Sequence, residues 1–288
     1  MSSKEAMFWS ESENSAADCE LCPRQCCIAE GAAGFCGVRE NRGGILTASG
    51  YGNVSAVALD PIEKKPLYMF KPGKMILSIG GYGCNFRCPF CQNSDISIEY
   101  DDRARSVKHL EPDEVLALAE QTVSAGNIGL AYTYNEPLIG YEFVFDCAKL
   151  IRQAGLSNVL VTNGYICNKP LEILLPLIDA MNIDLKGFSE SFYKNLGGGL
   201  ESVMETIALS RRSCHVEVTT LVIPGENEYD IEALSKWLSS VDPDIPLHLS
   251  RFFPRYRYSD RAHTPRETVI KLRETAGMYL KNVFMGNM

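Results

Sequence analysis

From about residue 75 onward the chain alternates short β-rich apolar runs with helical patterns, and few folds accept that rhythm. Strands are expected at 75–79, 128–134, 158–162, 181–185, 215–223 and 247–252, and 282–285 is a further short candidate. Proline and glycine punctuate the helices between them. Pro112 suits the first turn of a helix that closes near Gly126, and Pro137 opens one that ends at Gly155. Thr264-Pro-Arg-Glu267 reads as a capping box with proline at the first helical position, followed by Val269, Leu272 and Ala276 on one face. Such alternation builds parallel strand–helix units, so the expected fold is α/β, a partial (β/α)6 TIM-like barrel over 75–288. A doubly wound open sheet is the alternative that periodicity does not separate.

The chemically suggestive residues fall at the C-terminal ends of these strands, where barrel enzymes gather their active-site loops. A cysteine loop follows the first strand, 133–137 the second, 162–165 the third, 184–186 the fourth, 224–227 the fifth and 251–255 the sixth. The cysteine loop, Gly80-Gly-Tyr-Gly-Cys84-Asn-Phe-Arg-Cys88-Pro-Phe-Cys91, is the strongest of them. Thiolates this close share a metal or cluster, yet no fourth cysteine lies between Cys36 and Cys147. Structural zinc and electron-transfer ferredoxins both want a fourth nearby ligand. Three ligands on a four-iron cluster instead leave one iron open to a substrate or cofactor.

Residues 1–74 are rich in turn residues and cysteine, and form the expected small N-terminal module. Cys19, Cys22, Cys26 and Cys36 have ligand-like spacing for zinc or an auxiliary iron–sulfur cluster, with free structural cysteines as the other reading. Eleven cysteines would suggest disulfides in a secreted chain, but the start lacks the apolar core of a signal peptide and no apolar run approaches membrane-spanning length. Reduced thiols in the cytoplasm are expected. With 36 acidic against 28 basic residues there is no basic footprint for nucleic acid.

The cysteine array, with Phe90 just before its last member, resembles the radical S-adenosylmethionine (SAM) superfamily, in which three cysteines hold a [4Fe–4S] cluster and the open iron chelates SAM. Several stretches are similar to one branch, the AmmeMemoRadiSam system radical SAM enzymes, relatives of pyruvate formate-lyase activating enzymes: 22–26, 34–39, 60–67, 83–93 and 249–254. The string Asp60-Pro-Ile-Glu-Lys-Lys-Pro-Leu67 is the most specific of these. Tyr134-Asn-Glu-Pro137 resembles the Gly-Gly-Glu-Pro segment that grips the SAM amine, with Tyr134 and Asn135 in place of both glycines. Asn135 and Glu136 are thereby implied as SAM contacts, and a helix N-cap is the plainer reading of the same residues. Thr162-Asn-Gly-Tyr165 and Asp184-Leu-Lys186 look like activase segments around the SAM carboxylate and a cation. They imply Thr162, Asn163, Asp184 and Lys186 as cofactor contacts, with Val161 replacing an activase aspartate and an Asp184–Lys186 ion pair as the alternative. Phe90 would lie near adenine and Phe86 over the cluster.

The resemblance implies reductive cleavage of SAM to a 5′-deoxyadenosyl radical that abstracts hydrogen from a substrate. A glycyl-radical-enzyme activase keeps the chemistry and changes the target, and an iron–sulfur redox carrier or sensor is the non-enzymatic rival. Implied partners are an electron donor such as flavodoxin or ferredoxin, and AMMECR1-like and Memo-like proteins.

Overall fold

The computed structural model describes residues 4–99 and 108–288. Its centre is an eight-stranded sheet: β1 (Ala56–Pro61), β2 (Met75–Gly80), β3 (Asn127–Tyr132), β4 (Ser157–Thr162), β5 (Ala180–Asp184), β6 (His215–Val222), β7 (Leu247–Arg251) and β8 (Val283–Gly286). The strands lie side by side in chain order, with no pairing between β1 and β8. Strands β2 to β8 are all parallel, and β1 adds to β2 as an antiparallel edge. Strictly sequential order excludes the doubly wound alternative, which requires the order to reverse at a switch point. An unclosed sequential sheet of this kind is a partial barrel. β1 lies before residue 75, so the sheet extends into the stretch read as N-terminal module.

Helices α1 (Pro112–Gln121), α2 (Tyr141–Gln153), α3 (Asn168–Leu174), α4 (Glu190–Leu196), α5 (Leu200–Arg211), α6 (Ile231–Val241) and α7 (Arg266–Ala276) fill the connections. The central strands are buried almost throughout, the pattern of a sheet covered on both faces. Gly126 and Gly155 close the helical segments before β3 and β4 with φ of 89° and 72°, a region glycine enters without steric cost. Pro137 starts a 3-10 turn that runs into α2. The capping box at Thr264 does not form. The Thr264 hydroxyl instead donates to the Val222 carbonyl at 2.6 Å and accepts from the Phe252 N–H at 3.1 Å, tying β6 to the end of β7.

The β2–β3 ladder breaks between Asn127 and Leu130. There the Asn127 side chain accepts from Leu77 and Gly129 N–H, standing in for the lost backbone pairing. Any Cβ at Gly129 would come within 1.9 Å of the Ser157 carbonyl, so only glycine lets β4 approach.

Glu217, fully buried on β6, organises the N-terminal end of the barrel. Its carboxylate takes the backbone N–H groups of Tyr68 and Met69 and bonds His215 and His248 at 2.9 and 2.6 Å. Burial would push this carboxyl up; the two imidazoles and two N–H donors overcome that and hold it at about 2.

The N-terminal residues build a three-stranded sheet (Trp9–Glu11, Ala17–Cys19, Cys27–Ile28) and a hairpin (Arg39–Arg42, Ile45–Ala48) turned at Gly43-Gly44, both at positive φ. The hairpin docks on α2 through Arg39 and Glu142, an ion pair at 3.0 Å whose side chains are 2% and 0% exposed. Breaking a pair this buried by removing one partner costs about 3–5 kcal/mol.

Candidate active site

At the C-terminal ends of the strands lies a cleft of about 400 Å³. Cys84, Cys88, Cys91, Phe90, Asn135, Glu136, Thr162, Asn163, Asp184 and Lys186 all line it. The loops after β2, β3, β4 and β5 therefore converge. The 224–227 loop does not reach the cleft, since Asn227 is spent on the Lys186 and Leu221 carbonyls; Thr219 and Leu221 of β6 line it instead, with Ser250 and Asn287 beyond.

The loops after β2, β3 and β4 are locked to one another by side chains whose type also suits a ligand. Asn135 accepts from Gly81 N–H at 2.9 Å and donates to the Tyr82 carbonyl at 2.9 Å and the Gly83 carbonyl at 3.2 Å, clamping the cysteine loop to the end of β3. Glu136 is a helix N-cap, accepting from Leu138 N–H at 3.0 Å, and also reaches β4 to take the Thr162 hydroxyl and the Asn163 N–H, both at 2.7 Å. Three of a carboxylate's four acceptor positions are thus used, leaving one. Burial pushes Glu136 up to about 7, against the pull of those three bonds and of the Lys186 charge. Asn163 donates to Asn85 at 2.8 Å and to the Cys84 sulfur at 3.7 Å, and accepts from Tyr165 N–H. Phe90 is buried and stacks on Phe192 at 6.2 Å between centroids, and Phe86 packs on Tyr165.

Asp184 and Lys186 form an ion pair at 2.9 Å. Burial would lower the Lys186 ammonium, but Asp184 and Cys88 outweigh it and hold Lys186 above its ordinary range. Burial raises all three cleft thiols, Cys88 to about 12, while the Lys186 charge favours the thiolate of each. Lys186 is thus a cation whose charge reaches all three cysteines.

The 60–67 string gains a location. Lys64 and Lys65 line the cleft, and both pair with Asp60, at 3.1 and 2.9 Å. Asp60 also accepts the Tyr134 hydroxyl at 2.9 Å. Tyr134 sits at φ 74°, unusual for a tyrosine, with its carbonyl held by the Asn93 side chain. The resemblance to a Gly-Gly-Glu-Pro segment carried this signal, because a glycine would take that φ freely.

The four N-terminal cysteines do not join this cleft. Cys19, Cys22, Cys26 and Cys36 line a separate void of about 20 Å³ with Arg24, Arg39 and Asn85. Among the described residues no three His, Cys, Asp or Glu side chains meet as a ready single-ion site.

The cleft's donor set suits a polynuclear cluster. Three thiols face it with no fourth cysteine among the described lining residues, and the Cys84 sulfur receives the Phe86 N–H at 3.3 Å as well as the Asn163 amide. N–H donors to sulfur are what thiolate-bound iron–sulfur clusters use to tune their potential.

Comparison with known proteins agrees with this class. The family model described as Radical SAM superfamily matches residues 78–238, more than half of the chain. The chain belongs to the radical SAM superfamily, whose members carry a [4Fe–4S] cluster and SAM. It is 41% identical over 290 residues to an uncharacterized protein of Methanocaldococcus jannaschii, covering 99% of this chain and 85% of that one. It is 26% identical over 155 residues to the pyruvate formate-lyase 1-activating enzyme of Escherichia coli, covering 52% of this chain and 62% of the relative. The crystal structure of QueE from Escherichia coli superposes with a TM-score of 0.52 at 16% identity, over 82% of this chain and 94% of that one, a likeness of fold. Among the described residues no helix is long and apolar enough to cross a membrane.

Proposed function

We propose that Cys84, Cys88 and Cys91 hold the [4Fe–4S] cluster and that the cleft beside them binds SAM for hydrogen abstraction from a further substrate. When bound, the cluster supplies the electron that cleaves SAM to methionine and a 5′-deoxyadenosyl radical. The residues of the chain bind and orient. The last acceptor position of Glu136 suits the SAM ammonium, and Lys186, already balanced by Asp184, suits the SAM carboxylate. The observation that carries this reading is the convergence of Glu136, Asp184 and Lys186 on the cleft that the three cysteines line. Asn135, Thr162 and Asn163 act on the same site by fixing the loops, and Phe90 by packing the cysteine loop.

Lys64 and Lys65 on the cleft wall give the substrate end a basic border, with the Asp60 carboxylate shared between them. A glycyl-radical-enzyme activase is the second reading, supported by the likeness to a pyruvate formate-lyase activating enzyme. The electron donor, a flavodoxin or ferredoxin, and AMMECR1-like and Memo-like partners belong to the proposal, resting on the resemblance of the 60–67 and 83–93 segments. The test is anaerobic reconstitution, reduction and addition of SAM. Formation of 5′-deoxyadenosine supports SAM cleavage, and deuterium carried into it from a candidate small molecule or from a partner's glycine separates the two readings. No product and no change in the cluster's spectrum on adding SAM would leave a redox carrier.

A further inference from the structure

The void lined by the N-terminal cysteines has no part in the chemistry above, and its lining is unusual. Four thiols, from Cys19 at a strand end, Cys22 and Cys26 flanking one turn, and Cys36, line one small space together with Leu21, Ile28 and Ile139. Cys27, next in sequence to Cys26, is exposed and does not line it. Two arginines share the lining, Arg39 with only 1% of its surface exposed. The guanidinium Nε groups of both Arg24 and Arg39 are buried without a hydrogen-bond partner. An unpartnered buried N–H costs about 1–3 kcal/mol, and both of these belong to side chains that line the void.

We infer that Cys19, Cys22, Cys26 and Cys36 bind a second, tetrathiolate metal centre, with Arg24 and Arg39 beside it as the positive charge that balances it. Four thiolates around a zinc ion, or around an iron–sulfur cluster of charge 2+, leave a net charge of about −2. Arg39 already answers Glu142, but its Nε and that of Arg24 remain free to donate to thiolate sulfur. The thiols line the void instead of meeting at a point; a single ion would draw them inward, and a cluster would hold them farther apart.

The centre backs onto the catalytic cysteine loop. A Cβ on Gly83 would fall 2.3 Å from the Cys36 carbonyl, so the residue before Cys84 lies directly against the N-terminal site. The ring of Phe35, beside Cys36, has the guanidinium groups of Arg24 and Arg87 at 3.5 and 4.1 Å from its centroid, and Arg87 donates to the Cys84 carbonyl. Asn85 lines the N-terminal void and bonds Asn163 in the cleft. A metal at the N-terminal site therefore braces the loop that carries Cys84, Cys88 and Cys91.

The test uses the full chain with Cys84, Cys88 and Cys91 all replaced by alanine, prepared anaerobically with iron and sulfide or with zinc. The inference expects about one zinc, or about four irons with matching sulfide, per chain. Removing the metal with a chelator should then expose Cys19, Cys22, Cys26 and Cys36 to alkylation, mapped by peptide mass, with Cys27 reacting equally in both states. Zinc in place of iron and sulfide identifies the metal and supports the centre. A metal-free protein whose alkylation pattern is the same in both states overturns it. Should that variant fail to fold, Cys22→Ser/Cys26→Ser in the otherwise intact chain serves instead. It must lose that same complement of metal relative to the parent chain while keeping the rest; unchanged metal content refutes the inference.

Discussion

The side-chain amide of Asn163 points at the sulfur of Cys84, 3.7 Å away, while its backbone N–H is held by Glu136 at 2.7 Å. The end of β4 therefore sets both the electrostatics of the cysteine loop and the position of the carboxylate beside it. Donors to a cluster's sulfurs stabilise its reduced form. Asn163→Ala should keep the cluster and lower its reduction potential by about 40 mV, the equivalent of a hydrogen bond near 1 kcal/mol for one electron. A potentiometric titration followed by the reduced cluster's paramagnetic signal checks it.

Glu136→Gln should weaken SAM binding about tenfold, the loss expected when a charge-assisted contact to an ammonium becomes neutral. The cost to the fold is separate. Gln can still accept from Leu138 and Thr162 with its oxygen, but its amide then faces the Asn163 N–H, so stability should fall by about 1 kcal/mol. Titrating SAM into the reduced variant measures the first effect and urea unfolding the second.

Lys186→Met should weaken SAM binding by about tenfold to a hundredfold, more than Asp184→Asn, because Lys186 faces the cysteine loop as well as Asp184. Cluster reconstitution near neutral pH should also slow, since removing the ammonium raises the cost of the cleft thiolates. Equal binding by the two variants would mean that the pair acts only as a structural clamp.

Glu217 gives a test of the barrel independent of chemistry. Its carboxyl is held at about 2, below the ordinary 4.5, so its stabilisation is complete above about pH 4.5 and is lost as pH falls toward 2. The full effect is at most about 3 kcal/mol. Glu217→Gln should unfold at lower urea than the parent at pH 7, with the gap closing as the solution is acidified. A gap that persists at about pH 2 would assign the loss to packing.

Much of this architecture is legible in the sequence because the strands are buried runs cut by proline and glycine. The expected 158–162 and 181–185 differ from β4 and β5 by a residue at the ends. β1 escapes notice because, as an edge strand, it is only half-buried and reads as loop. Thr264 shows the opposite failure, a local capping pattern overruled by partners on two strands. In the cleft, residue type told which side chains could bind a ligand, but not that Asn135 and Asn163 are already committed to the neighbouring loops. Those commitments are between residues 50 or more positions apart. Only the folded chain brings them together.

The most direct measurement is 5′-deoxyadenosine formed from SAM by anaerobically reconstituted, chemically reduced protein, compared with its Cys88→Ala variant. The parent should release it and the variant should release none, with iron content reduced in parallel. Undiminished cleavage by Cys88→Ala would contradict the assignment of the cluster to Cys84, Cys88 and Cys91.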